Sequence, residues 1–206
     1  RNQLGAFSNQ IRGIAVGGNP ETDTMDYHTI ATTGNALDFG NLTQSRQSPR
    51  GAASTTRGLS MGGEIPSNRT NVIDFVTIMT TANAVNFGDL TIKTRLAASC
   101  SNSTRALYAG GENPDSNALN TINFITIASQ GDASDFGDMT SSRMEHTAAS
   151  DPTRAVFAGG NTTGPSVLQN VIDFVTISTT GNATDFGDLH APNTRSSSTS
   201  SGHGGL

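Results

Sequence analysis

Apolar residues along this chain come in short bursts separated by clusters of Gly, Ser, Thr, Asn and Asp. In the last full stretch the bursts fall at His146–Ser150, Arg154–Ala158, Asn170–Ile177 and Thr184–Leu189. Turn chemistry divides them. Asp151-Pro152-Thr153 breaks the first pair, Gly159-Gly160 ends the second burst, and Thr180-Gly181-Asn182 is a hairpin signal before the fourth. The third burst, Val171-Ile172-Asp173-Phe174-Val175-Thr176-Ile177, is β-branched and aromatic and is apolar on both faces, the pattern of a strand covered on both sides. No segment sustains a 3.6-residue period, so the chain is predicted to be all-β.

The same four bursts recur. Gly-Gly stands at Gly17-Gly18, Gly62-Gly63, Gly110-Gly111 and Gly159-Gly160, and an Asp/Asn-Phe-Gly tripeptide contains Phe39, Phe87, Phe136 and Phe186. The units run 1–45, 46–94, 95–142 and 143–194, with a partial fifth at 195–206, all within one domain. An Arg follows each Phe-Gly, at Arg46, Arg95, Arg143 and Arg195. Arg1 stands before Arg12 as Arg46 does before Arg57. Four antiparallel strands a, b, c and d per unit, apolar on both faces, describe a propeller blade. A lone blade would leave both faces wet, so such units come in arrays. The expected architecture is a β-propeller of about four blades with four strands each. A closed ring of four is favoured over an excerpt of a larger ring. The partial fifth unit pairs in place of Leu4–Asn9, or docks elsewhere as a loose arm, or, in a larger ring, closes a blade upstream of this excerpt.

Composition narrows the function. The chain has 206 residues, a net charge of −5 and only 12 Lys+Arg, which argues against sequence-independent nucleic-acid binding. Hydrophobic residues make up 33%, with no Trp, while Ser and Thr number 50, which suits many short strands with small side chains. No apolar run is long enough for a membrane helix. The single Cys100 excludes an intrachain disulfide and a Cys-based zinc site, and is expected to be a small buried hydrophobe. The first residue is Arg1, and the chain reads as processed or excerpted from something longer.

The pattern resembles the kelch repeat. Gly110-Gly111, Phe124, Phe136 and Arg143 stand in the order of a Gly-Gly pair closing strand b, an aromatic in strand c, an aromatic in strand d and an Arg before the next strand a. The chain has Phe where kelch repeats usually carry Trp in strand d, and Phe75, Phe124 and Phe174 where they carry Tyr in strand c, with Tyr only at Tyr27. The run from Asn170 to Leu189 also resembles kelch-like repeats of tail-associated and fibre proteins of tailed bacteriophages. That resemblance implies a virion component whose partners are other virion or tail proteins, further copies of itself, and a host-surface glycan or receptor. It implies neither catalysis nor membrane insertion.

Alternating strand directions put the b–c and d–a connections on one face. The b–c connections vary between units while the rest repeats, so they are the expected ligand-binding loops. Their candidate residues are Asn19, Glu21 and Asp23 in the first; Glu64, Asn68 and Arg69 in the second; Glu112, Asn113, Asp115 and Asn117 in the third; and Asn161, Thr162 and Thr163 in the fourth. The Arg series that follows Phe-Gly and the series Arg12, Arg57, Arg105 and Arg154 are expected to be packing devices, because a part repeated in every unit serves the repeat. His28, His146, His190 and His203 fall in different phases of the repeat and are expected to be exposed loop residues. No metal-ligand spacing and no cofactor motif appears, and no metal or cofactor is expected. The chain carries no Gly-x-Ser-x-Gly, P-loop or His-Glu-x-x-His, and its four Glu are scattered, so a non-enzymatic role is expected. The alternatives are a purely structural decoration or assembly module of a virion, and a cellular kelch-type adaptor.

Overall fold

A computed structural model describes residues 1–164 and 166–199. The first sheet contains β1 (Gly5–Ser8), β2 (Arg12–Val16), β3 (Thr22–Thr29) and β4 (Leu37–Arg46). The second contains β5 (Arg50–Ala53), β6 (Arg57–Met61), β9 (Val72–Thr77) and β10 (Val85–Asp89), with a small hairpin of β7 (Glu64–Ile65) and β8 (Asn68–Arg69) inside its b–c connection. The third contains β11 (Ala98–Ser101), β12 (Arg105–Ala109), β13 (Thr121–Thr126) and β14 (Ser134–Asp138). The fourth contains β15 (Thr147–Ser150), β16 (Arg154–Ala158), β17 (Val171–Thr176) and β18 (Thr184–Asp188). Within each sheet the strands pair antiparallel in a–b–c–d order. The a strands β1, β5, β11 and β15 neighbour one another in that sequence and line the axis. The architecture is a β-propeller-like array of four blades.

Each junction between blades is built the same way. The aromatic of strand c meets the Phe of strand d edge-on, with centroids 5.8 Å apart for Tyr27–Phe39, 5.7 Å for Phe75–Phe87, 6.2 Å for Phe124–Phe136 and 5.9 Å for Phe174–Phe186. The Arg that opens strand b lies over the strand c ring, at 4.4 Å for Arg12 and 4.7 Å for Arg105. Its guanidinium then reaches the next blade: Arg12 donates to Ile78 O, Arg57 to Ile127 O and Arg105 to Ile177 O. The c–d turn of that next blade runs along strand d of the one before. Ala84 N donates to Asn41 O, Ala133 N to Asp89 O and Ala183 N to Asp138 O.

The Phe-Gly dipeptide makes this approach possible. Phe39, Phe87 and Phe136 are buried, while the following glycine adopts a positive φ, 131° at Gly40 and 152° at Gly88. A Cβ at Gly88 would lie 2.3 Å from Gly131 O in the next turn, so no side chain fits there.

A buried polar joint lies under these contacts. Arg46 and Asp74 pair at 2.7 Å, and Arg143 and Asp173 at 2.6 Å, with all four side chains fully buried. The carboxylates also accept from the previous blade: Thr43 Oγ1 donates to Asp74, and Thr140 Oγ1 to Asp173, each at 2.6 Å. In the third blade both partners change together. Thr94 replaces the Arg, neutral Asn123 replaces the Asp, and Asn123 accepts from Thr91 Oγ1 at 2.7 Å. Tyr108 is buried beside them. A buried charge without its counter-ion is costly, so the two positions vary as a pair.

This geometry corrects the register of the arginine series that follows Phe-Gly. Gly18 N, Gly63 N, Gly111 N and Gly160 N donate to the carbonyls of Arg46, Thr94, Arg143 and Asn193 respectively, which are therefore equivalent places. Arg95 stands one residue further on, and Arg195 two.

The expectation of a closed ring of four is also corrected. The described residues form three buried apolar clusters, one between each pair of consecutive blades. No described hydrogen bond or ion pair joins the first blade to the fourth. Ile78, Ile127 and Ile177 are at most 1% exposed, but their counterpart Ile30 is 55% exposed. Phe186 is 53% exposed where its counterparts are at most 3%. The four blades form an open arc. Residues 195–198 take the place of a fifth innermost strand: Arg195 N donates to Glu145 O as Glu145 N does to Leu96 O, and Ser198 Oγ donates to Ala148 O as Ser150 Oγ does to Ser101 O. Residues 200–206, including His203, lie outside the described residues.

The paired substitution can be tested directly. Asp74→Asn strands Arg46 in the interior and is expected to cost about 3–5 kcal/mol in urea unfolding. The triple variant Arg46→Thr, Asp74→Asn, Ser60→Tyr installs the third blade's arrangement and is expected to recover about half of that loss. A triple variant no more stable than Asp74→Asn would show that the pair is not the unit of variation.

Candidate functional site: the loop face and the axial cleft

The d–a connections and the b–c loops share one face, as the strand directions require. They touch through short bridges, Asn2 with Asn19, Gln47 with Glu64, Arg95 with Glu112 and Met144 with Asn161. Several predicted binding residues are committed to contacts within this face. Arg95 pairs with both Glu64 and Glu112, reaching Glu112 at 2.7 Å, and Arg69 reaches Glu112 at 3.1 Å. Burial pushes the Glu112 carboxyl up, but Arg95 and Arg69 outweigh it and hold it below the ordinary range. The four charges cancel, and they tie the second loop to the third. Asn161 is buried, with Nδ2 on Ser166 Oγ at 3.1 Å. Thr163 Oγ1 accepts from Ala118 N of the neighbouring loop, and Thr162 Oγ1 accepts from Val167 N. Asn113 Oδ1 accepts from Asp115 N and Asn117 N, holding the tip of its own loop.

Glu64, Arg69 and Glu112 are thus brought together as a clamp. Asn19 on the first loop, Asn68 on the second, and Asp115 and Asn117 on the third stand exposed, and Glu21 and Asp23 are half-buried on the first. The thirteen predicted residues do not converge on one site.

Convergence occurs at the axis instead. A cleft of about 710 Å³ opens on the same face and is lined by the starts of all four a strands and by the segment at 195–198. Gln3, Ser48, Ser99, Glu145, Thr147 and Ser197 supply polar atoms to its wall. Arg50 Nε donates to Ala97 O, which fixes its guanidinium in the wall. Glu145 is held by Arg195 at 2.8 Å. A second cleft of about 560 Å³ lies further along the a strands, beside the exposed His28 and Ile30 of the first blade.

His146 corrects an expectation. It is buried, not exposed, with its ring edge-on to Phe157 at 6.3 Å. Neither ring nitrogen has a hydrogen-bond partner. Burial, reinforced by Arg143 and Arg50, holds its pKa well below 6.5. Cys100 is buried as expected, and burial pushes its thiol up to about 12, so it stays protonated at neutral pH. The described residues hold no cluster of three or more potential metal ligands.

The residues lining the cleft were open to detection in the sequence. Leu4, Pro49, Ala97 and His146 occupy one place in the repeat, and Gln3, Ser48, Leu96 and Glu145 the place before it, where each has a positive φ. These places vary between units as much as the b–c loops do.

No protein-family model matches the chain, and no curated protein matches it. Among solved structures the chain is similar to one titled "Structure of YjhT", with a TM-score of 0.78 and 8% identity, over 93% of this chain and 67% of that one. At that identity the likeness speaks for the fold alone, and it agrees with the β-propeller-like array.

The neutral, buried His146 makes a pH prediction. Its folded pKa lies below its unfolded value, so the unfolded chain binds the extra proton. Stability is full above about pH 6.5 and falls as the pH drops below it, by up to about 1.4 kcal/mol per pH unit. His146→Leu is expected to flatten that part of the stability profile, measured by urea unfolding at a series of pH values. An unchanged slope would show that His146 is accessible to protons in the folded state.

Proposed function

We propose that this arc is a non-enzymatic recognition module that takes a polar host-surface ligand, a glycan or receptor segment, at the axial cleft and the loop face around it. The observation that carries this reading is the cleft itself. It is the place where all four repeats and the segment at 195–198 converge, and its wall offers hydroxyl, amide and carboxylate groups with no exposed aromatic platform. Such a surface gives affinity through several modest hydrogen bonds, which suits a sugar or an extended backbone. The placement on a bacteriophage virion or tail rests on the repeat resemblance. A purely structural role in the virion is the second reading, and the clamp of Glu64, Arg95, Glu112 and Arg69 favours it, because loops tied to one another are poor at adapting to a ligand.

The two readings separate in a glycan-array and host-adsorption experiment on the chain. Binding is expected, and Gln3→Trp or Ser197→Trp, exposed residues that line the cleft from separate repeats, is expected to abolish it without lowering the melting temperature. Binding that survives both substitutions, or no binding in either assay, would overturn the recognition reading.

A further inference from the structure

The two ends of the arc are uncovered, and each retains the parts that the internal junctions use. On the first blade, Ile30 occupies the place of Ile78, Ile127 and Ile177, whose carbonyls accept the junction arginines. Asn35 occupies the place of Asn83 and Asn182, whose Oδ1 atoms accept from Asn41 N and Asp138 N, each at 3.0 Å. Ala36 occupies the place of Ala84, which is 9% exposed, and of Ala133, but Ala36 itself is exposed.

The fourth blade mirrors this. The Arg154 guanidinium lies 4.6 Å over Phe174, as in the other blades, and is the only one of its series with no described hydrogen bond to a next blade. Gly187 has φ 138°, as its counterparts do, yet a Cβ there would meet nothing within 4 Å. A surface that ended the array would have no use for a bulged glycine beside an exposed Phe. Terminal faces of repeat arrays are normally made polar.

We infer that the arc is a four-blade part of a six-blade ring, and that its two end faces are docking surfaces for two further blades of the same repeat, joined through Thr194–Ser198. The solved neighbour gives the count: four blades span 67% of it, which leaves the length of about two more. The segment at 195–198 decides the connection. It already fills the place of a fifth innermost strand, where the first strand of a second copy docking on Phe186 would have to lie. The incoming blade therefore brings its b, c and d strands to Phe186, with an Ile carbonyl for Arg154. The last blade brings an Arg and a Phe-Gly to Ile30. This inference stands on the end faces and on the neighbour's length, and is independent of what the cleft binds.

The test compares the chain with two extensions made from its own repeats in register after Pro192: one further copy of residues 143–194, giving five blades, and one further copy of residues 94–194, giving six. Each carries Ile30→Cys as a reporter, since the buried Cys100 does not label. The expected result is rapid maleimide labelling at position 30 with four and five blades. With six blades, labelling is at least about tenfold slower, and the monomer unfolds in a single transition raised by at least about 5 °C. Protection already present with four blades at low concentration would mean a ring of four. Protection that appears in the four-blade chain only as concentration rises would assign the faces to a second copy. Protection at five blades, or a six-blade chain that labels rapidly or fails to fold, would overturn the count. Each of these results contradicts the inference.

Discussion

The structure depends on one constraint: a sheet that is apolar on both faces needs another sheet on each side. The chain meets it with a single junction used three times, in which an Arg caps an aromatic, the aromatic packs on a Phe, and the Arg reaches a carbonyl of the next blade. Each part answers a physical need. The rings supply area for burial, worth about 2–3 kcal/mol for a fully buried Phe. The guanidinium satisfies main-chain carbonyls that would otherwise be buried without a donor. The glycine after the Phe removes the one Cβ that would hold the next turn away. Because the junction is directional, the array has two different ends, and it stays open in the structure of these four blades.

The same logic explains which polar residues are available for function. A repeated polar residue tends to be consumed by the junction, as Arg46, Asp74, Arg143 and Asp173 are. Places that vary between units are free of that duty. Two sets vary: the b–c loops and the starts of the a strands. In the second and third loops the acids pair with arginines, which ties loop to loop. The a-strand starts face a common space at the axis, and that is where polar groups from separate repeats come within reach of one ligand.

Much of this was legible in the sequence. The all-β class, the four-strand unit and the strand limits follow from apolar bursts and turn residues, and β16 covers Arg154–Ala158, the range its burst predicts. The packing role of the Arg12 series follows from its repetition. What stayed hidden did so for identifiable reasons. Counting the arginines at 46, 95, 143 and 195 as one series ignored that Arg95 stands one residue nearer its strand b partner than Arg46 does. The real pattern is the joint change of Arg to Thr94 and Asp to Asn123. His146 looked like a loop residue because its neighbours in the repeat, Leu4, Pro49 and Ala97, share no chemistry with it. Ring closure was not legible at all, because the end blades carry the same junction residues as the middle ones. The exposure of Ile30, Ala36 and Phe186 in the folded chain distinguishes them.

The most direct measurement of this account is amide hydrogen exchange at the four equivalent c–d turn alanines. Ala84, Ala133 and Ala183 each donate to strand d of the preceding blade, and Ala36 has no such blade before it. The account predicts slow exchange at the first three and exchange near the rate of an open turn at Ala36. Slow exchange at all four in the monomeric chain, or fast exchange at all four, would contradict it.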